Sequence, residues 1–160
     1  MTRINIVDPV ELTDQHLIAE YREIRLLCAN LQRTIKSKHG FQITKVPPHY
    51  TLNKGHVYFF FTKGLYLHKR YNFLKQEMYR RGFNPLNDFP VDVWPEYLYN
   101  DWQPSNDDLN VVRDRIDVRI STKPHWYRYK GVPLNESRFQ ENLPDQVISV
   151  YHRTRQFLIQ

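Results

Sequence analysis

The sequence predicts an all-α fold: a compact single domain of three main helices with long irregular loops. Three observations lead there. Apolar residues recur at spacings of three and four in three separate stretches. No stretch alternates convincingly at the strand period. The five glycines and ten prolines in 160 residues are few enough to serve as punctuation between helices. This length suits one core, and 41% hydrophobic with 14% aromatic residues mark a folding chain.

Asp8-Pro9-Val10-Glu11 reads as a short helical turn, with Asp as N-cap and Pro at the first helical position. Thr13 then caps the first long helix, whose stripe is Leu17, Tyr21, Ile24, Cys28, Leu31 and Ile35. It should stop before Gly40. Residues 40–60 look irregular, since Pro47-Pro48 forbids helix. Val57 to Phe61 is apolar and suits either a short strand or a buried entry into the next helix. A second helix is expected over about 62–81, through Leu67, Tyr71, Leu74 and Met78, with Gly82 just past its end. Residues 84–104 carry four prolines and two tryptophans and read as a packed loop. Ser105 with Asp108 starts the third helix, through Leu109, Val112, Ile116 and Ile120. A fourth amphipathic helix is expected over 143–158.

Lys and Arg total 23 against 17 Asp and Glu, giving a net charge of +6. That excess favours a polyanion, either nucleic acid or an acidic membrane surface. The single cysteine, Cys28, excludes an internal disulfide and a zinc site built on paired cysteines; its place on the apolar stripe assigns it to the core. No apolar run approaches the roughly 18 residues of a membrane span, and residues 1–5 lack the pattern of a signal peptide. A soluble intracellular protein is expected. There is no Gly-rich phosphate loop, no Gly-x-Ser-x-Gly elbow and no carboxylate cluster for two metals, so neither metal nor cofactor is expected.

On the first helix, Gln15, Arg22 and Leu26 lie opposite the apolar stripe, flanked by His16 and Glu23 on one side and Arg25 on the other. Periodicity alone makes this a solvated face. A metal site from His16, Glu20 and Glu23 lacks the His-Glu-x-x-His spacing. Farther on, Arg113, Arg115 and Arg119 lead into Lys123-Pro124-His125-Trp126-Tyr127-Arg128-Tyr129-Lys130-Gly131. Interleaved rings and cations suit a nucleic-acid surface, the rings stacking while the cations meet phosphates. The other reading is an aromatic plug on the core with its cations exposed. Both can hold for different rings.

The motifs together carry a resemblance. Thr2-Arg3-Ile4-Asn5, Glu11-Leu12, Asp14-Gln15-His16-Leu17 and Ala19-Glu20-Tyr21-Arg22-Glu23 are followed in order by Gly55-His56-Val57 with Phe59-Phe60 and by Lys69-Arg70. Arg80-Arg81-Gly82-Phe83-Asn84 and Pro124 with Trp126-Tyr127-Arg128-Tyr129 complete the set. This pattern, over about residues 1–131, resembles the pyrimidine-dimer DNA glycosylase/AP lyase family of the phage ultraviolet-endonuclease (endonuclease V) type. One departure stands out: where the family has Pro-Arg after Glu-Leu, this chain reads Glu23-Ile24-Arg25-Leu26.

The resemblance implies an all-α glycosylase/AP lyase domain over 1–131; residues 132–160 run past the family's usual end and are expected to pack on the same domain. It implies removal of Met1, attack by the Thr2 α-amine on C1′ of the damaged nucleotide, a Schiff base, and strand nicking by β-elimination assisted by Glu23. Arg3, Gln15, His16, Arg22 and Arg25 are then expected at the site. Arg115 and Arg119, and with them Trp126, Tyr127, Arg128, Tyr129 and Lys130, are expected on the DNA. An α-amine suits this chemistry because its pKa of about 7.7–8.0 leaves roughly a tenth unprotonated at pH 7, against about one in 2,500 for lysine. The expected partner is double-stranded DNA carrying a lesion, met in the cytoplasm of a bacterial or phage-infected cell by a monomer with no obligate protein partner. Two alternatives stay open: the same chemistry on another modified base, and a DNA-binding module without catalysis.

Overall fold

A computed structural model describes residues 3–135. Met1, Thr2 and the expected fourth helix lie outside the described residues, as does most of the expected 132–160 extension. The Asp8 carboxylate accepts the Val10 N–H and opens a 3-10 turn, Pro9–Glu11. The Thr13 hydroxyl accepts the His16 N–H (3.1 Å) and opens α1, Asp14–Lys36. After a 3-10 turn at Ile43–Lys45 come α2 (His56–Phe60), α3 (Gly64–Arg80) and α4 (Asn106–Thr122). The start of α4 carries both bonds of a capping box between Ser105 and Asp108.

The long helices follow the sequence expectations, and the chain is all-α in architecture. Three details differ. The apolar run before α3 is the short helix α2, whose Phe59 and Phe60, with Phe61 after it, are buried. Gly55 opens α2 at φ 95°, in the left-handed region where glycine is favoured; a Cβ there would fall 2.7 Å from the Pro47 ring. The 84–104 loop contains two 3-10 turns, Val91–Val93 and Glu96–Leu98, and buries Phe89, Trp94 and Leu98. Finally, Arg128–Tyr129 (β1) pairs antiparallel with Val132–Pro133 (β2), a ladder that alternation over so few residues could not announce.

The core lies where α1 meets α3. Leu17, Ile24 and Leu31 pack with Leu67 and Leu74, and Tyr21 stacks on Tyr71 at 4.8 Å. Arg81, at the end of α3, then ties four elements together. Its guanidinium donates to Glu77 (2.9 Å), Asp14 (3.1 Å) and the carbonyls of Leu12, Pro9 and Val10, and lies 4.1 Å above the Tyr129 ring. Asp14 in turn accepts the Lys130 and Gly131 N–H groups (3.0 and 2.8 Å). The start of α1, the end of α3 and the hairpin are thereby held in one arrangement, which fixes residues 126–131 beside α1. No helix among the described residues is long and apolar enough to cross a membrane.

Candidate active site

Residues 3–7 pass into the buried interior and turn at Ile6 (φ 51°), where the Val7 N–H donates back to Asn5 O, and the backbone or side chains of Arg3, Ile4, Asn5 and Val7 are each anchored. Arg3 Nε donates to Leu52 O (2.9 Å). The Ile4 N–H donates to His56 Nε2 (3.0 Å), and Ile4 O accepts from the Tyr50 hydroxyl (2.9 Å). The Asn5 N–H donates to Glu20 Oε1 (2.8 Å). Arg70 holds Glu20 through Nε (2.6 Å) and Nη2 (3.1 Å) and also donates to Val7 O. Glu20 and Arg70 are both buried; removing either partner of such a pair costs about 3–5 kcal/mol.

His56 has one tautomer here. Its Nε2 accepts, so Nδ1, 2.7 Å from Thr51 O, carries the proton and donates. Burial, with Arg3 and Arg115 nearby, holds this imidazole down at about 4, so it is neutral at pH 7.

The anchored segment ends at a cavity of about 200 Å³. Arg3 and Asn5, Gln15, His16 and Ala19 of α1, Arg115 and Arg119 of α4, and Trp126 and Tyr127 line it. Each wall is built by local sequence. Gln15 and Ala19 are four apart on α1, and Arg115 and Arg119 four apart on α4, so each pair shares a face. The Gln15 amide spans the incoming chain: Nε2 donates to Trp126 O (2.6 Å) and Oε1 accepts the Arg128 N–H (2.9 Å). Tyr127 stacks on His16 at 4.9 Å with the rings nearly parallel. Burial, with Arg115 and Arg119 near, holds His16 at about 4, and it too is neutral at pH 7. Burial and the nearby charges of Arg119 and Arg3 both disfavour the Arg115 cation. Three guanidinium groups in mutual repulsion around one small cavity form a surface that an anion would relieve. Asn5 Oδ1 is buried at this wall and has no hydrogen-bond partner among the described residues.

Glu23 lies one turn beyond Ala19 on the same side of α1. Burial raises its carboxyl above the usual range, and Arg3 opposes that rise. A half-buried carboxyl tuned upward beside a cation suits proton transfer.

The structure does not gather every expected residue here. Arg22 and Arg25 lie on the other flank of α1, around a separate concavity of about 710 Å³ with Tyr21, Leu26, Asn84 and Leu86. Leu26, 58% exposed, stands at its rim. The aromatic segment divides between its two readings. Trp126 is 51% exposed at the cavity mouth, Tyr127 is half-buried, and Tyr129 is 2% exposed, its hydroxyl donating to Val10 O (3.0 Å). Arg128 and Lys130 are exposed. Thr2 lies outside the described residues.

Periodicity did not find Glu20, Tyr50, His56 or Arg70, although three of them sit inside the matched motifs. One signal was available: Glu20 falls within the apolar arc of its helix, where a carboxylate requires a buried cation. Comparison with protein-family models matches residues 1–90 of the 160 to the family described as pyrimidine dimer DNA glycosylase.

Proposed function

The chain belongs to the pyrimidine dimer DNA glycosylase family, a DNA-repair glycosylase acting on DNA with pyrimidine dimers, and from that premise we propose a bifunctional glycosylase/AP lyase working through an N-terminal amine. The free α-amine of Thr2 attacks C1′ of the damaged nucleotide. The glycosidic bond breaks and the base leaves with the electron pair. Loss of a proton from the amine and opening of the C1′–O4′ bond give a Schiff base, with O4′ taking up a proton. Glu23 then removes a C2′ proton; the C–H electrons form the C2′–C3′ double bond and expel the 3′ phosphate. Water hydrolyses the Schiff base and frees the amine.

The observation that carries this reading is the convergence of Arg3, Arg115 and Arg119 on one cavity at the root of the anchored N-terminal segment, with Glu23 a single helical turn away. The arginines supply phosphate contacts, and neutral His16 and Tyr127 offer stacked rings at the wall. A carboxylate near the developing sugar cation stabilises it and is poised as base. Arg22 and Arg25 flank the ridge of α1 from the other side and are assigned to the DNA backbone.

The test is strand cleavage on a duplex carrying one cyclobutane dimer, compared between the wild type and Glu23→Gln. The wild type should nick at the dimer, while Glu23→Gln should bind the damaged duplex and leave it intact. Cleavage by Glu23→Gln at the wild-type rate would remove Glu23 from the mechanism.

A further inference from the structure

Another concavity, of about 1140 Å³, is separate from the cavity described above. It runs between the C-terminal half of α1 and the 45–58 segment. Its charged lining residues are Arg3, Arg33, Lys45 and Lys54, with no carboxylate among them. Asn30, Thr34, Ser37 and Asn53 add polar side chains, and Pro47, Tyr58 and Phe61 add apolar surface. Arg33 is held on the α1 wall by a hydrogen bond to Asn30 Oδ1.

Two features join this groove to the candidate active site. Arg3 lines both. Gln15, Ala19, Glu23, Asn30, Arg33 and Thr34 also fall within about a 100° arc of α1, at 3.6 residues per turn. One face of the helix therefore runs from the cavity, past Glu23, into the groove. The opposite wall is braced at Gly55, where even a methyl group would collide with Pro47.

We propose that this groove binds the phosphodiester backbone of the duplex flanking the lesion, with Arg33, Lys45 and Lys54 as its phosphate contacts. The inference rests on the reading that the chain acts on DNA and extends the substrate beyond the damaged nucleotide. The chemistry matches a backbone: Arg33, Lys45 and Lys54 share a lining that includes no carboxylate and can face phosphates, and the apolar surface between them can lie under sugars. The amide and hydroxyl side chains add donors without requiring a particular base. A repair enzyme must meet its lesion in any sequence, and a groove of this composition holds the neighbouring duplex in register without reading it.

The experiment measures the salt dependence of binding to a duplex about two turns long that carries a non-cleavable abasic analogue. The variant Arg33→Ala/Lys45→Ala/Lys54→Ala is compared with Lys69→Ala/Lys75→Ala/Arg80→Ala, which removes the same charge from α3 away from the groove. Three lost phosphate contacts should lower the log–log salt slope by about 2.7 in the groove variant, whereas the α3 variant should keep the wild-type slope. Trimming the flanking duplex to a few base pairs should abolish the difference in slope. Equal slopes for the two variants, with wild-type cleavage intact, would overturn the groove and leave the enzyme reading standing. Absence of salt-dependent binding by the wild type would overturn both.

Discussion

Replacing His56 with alanine removes the acceptor of the Ile4 N–H and the donor to Thr51 O, at a side chain that is 3% exposed. Ile4 itself is fully buried, so its N–H cannot turn to water, and an orphaned buried donor costs about 1–3 kcal/mol. The edge contacts of His56 with Tyr50 (5.6 Å) and Phe60 (5.3 Å) are lost as well, at about 0.5–1.5 kcal/mol each. The total is on the order of 2–6 kcal/mol, set against a typical domain stability of about 5–15 kcal/mol.

His56→Gln retains an acceptor that can reach Ile4 and should cost less than half as much. The effect on chemistry is separable from stability. Thr2 precedes Ile4 by two residues, a tether of about 7 Å, so slack at Ile4 passes directly to the amine. A misplacement of about 1 Å can slow a positioned reaction roughly 10²-fold. The assay is single-turnover Schiff-base formation on abasic duplex, at a temperature where circular dichroism shows both variants folded. His56→Ala should react about 10²-fold more slowly with duplex affinity unchanged, and His56→Gln should recover most of the rate. A folded His56→Ala that reacts at the wild-type rate would refute the positioning argument and leave His56 a role in stability alone.

Arg81→Leu strips the cation from Asp14 and Glu77 and should lower stability by about 3–5 kcal/mol in chemical denaturation; a loss below about 1 kcal/mol would contradict the four-element tie. Trp126→Ala should barely change the melting temperature but reduce the damaged-to-undamaged affinity ratio, whereas Tyr129→Ala should cost about 3–5 kcal/mol as a core truncation. Stability should also depend on pH. His16 and His56 are held at about 4, below the ordinary 6.5, so the unfolded chain takes up protons that the folded one refuses. Their contribution is present above about pH 6.5 and is lost as pH falls toward 4, at up to about 1.4 kcal/mol per pH unit for each imidazole. Denaturation midpoints at pH 7, 6 and 5 check this, and a flat or rising trend toward pH 5 would show the imidazoles to be accessible.

The long helices were legible because their signals are local. Thr13 and Ser105 each act on a backbone N–H three residues on, and the apolar stripes of α1, α3 and α4 have a period that only a helix satisfies. The β1–β2 hairpin was not legible. Its two-residue strands are too short to alternate, and what holds it is Asp14, more than a hundred residues earlier, bonding to the backbone at 130–131. The helical wheel placed Arg25 on one side of the polar face and Glu23 on the other. It could not show that the ridge of α1 separates two concavities, because the second walls come from α4 and residues 126–127 on one flank and from residues 84–87 on the other. Nor could it show that Gln15, read as a surface amide, spends both ends of its side chain on the backbone at 126–128.

The most direct measurement is borohydride trapping on a duplex with one abasic site, comparing protein whose chain begins at Thr2 with protein that retains Met1. Reduction should give a covalent protein–DNA adduct with the first, and peptide mapping should place the DNA on the Thr2 amine; the second should give none. An adduct formed equally well by both, or one that maps to a lysine side chain, would contradict the N-terminal amine as nucleophile.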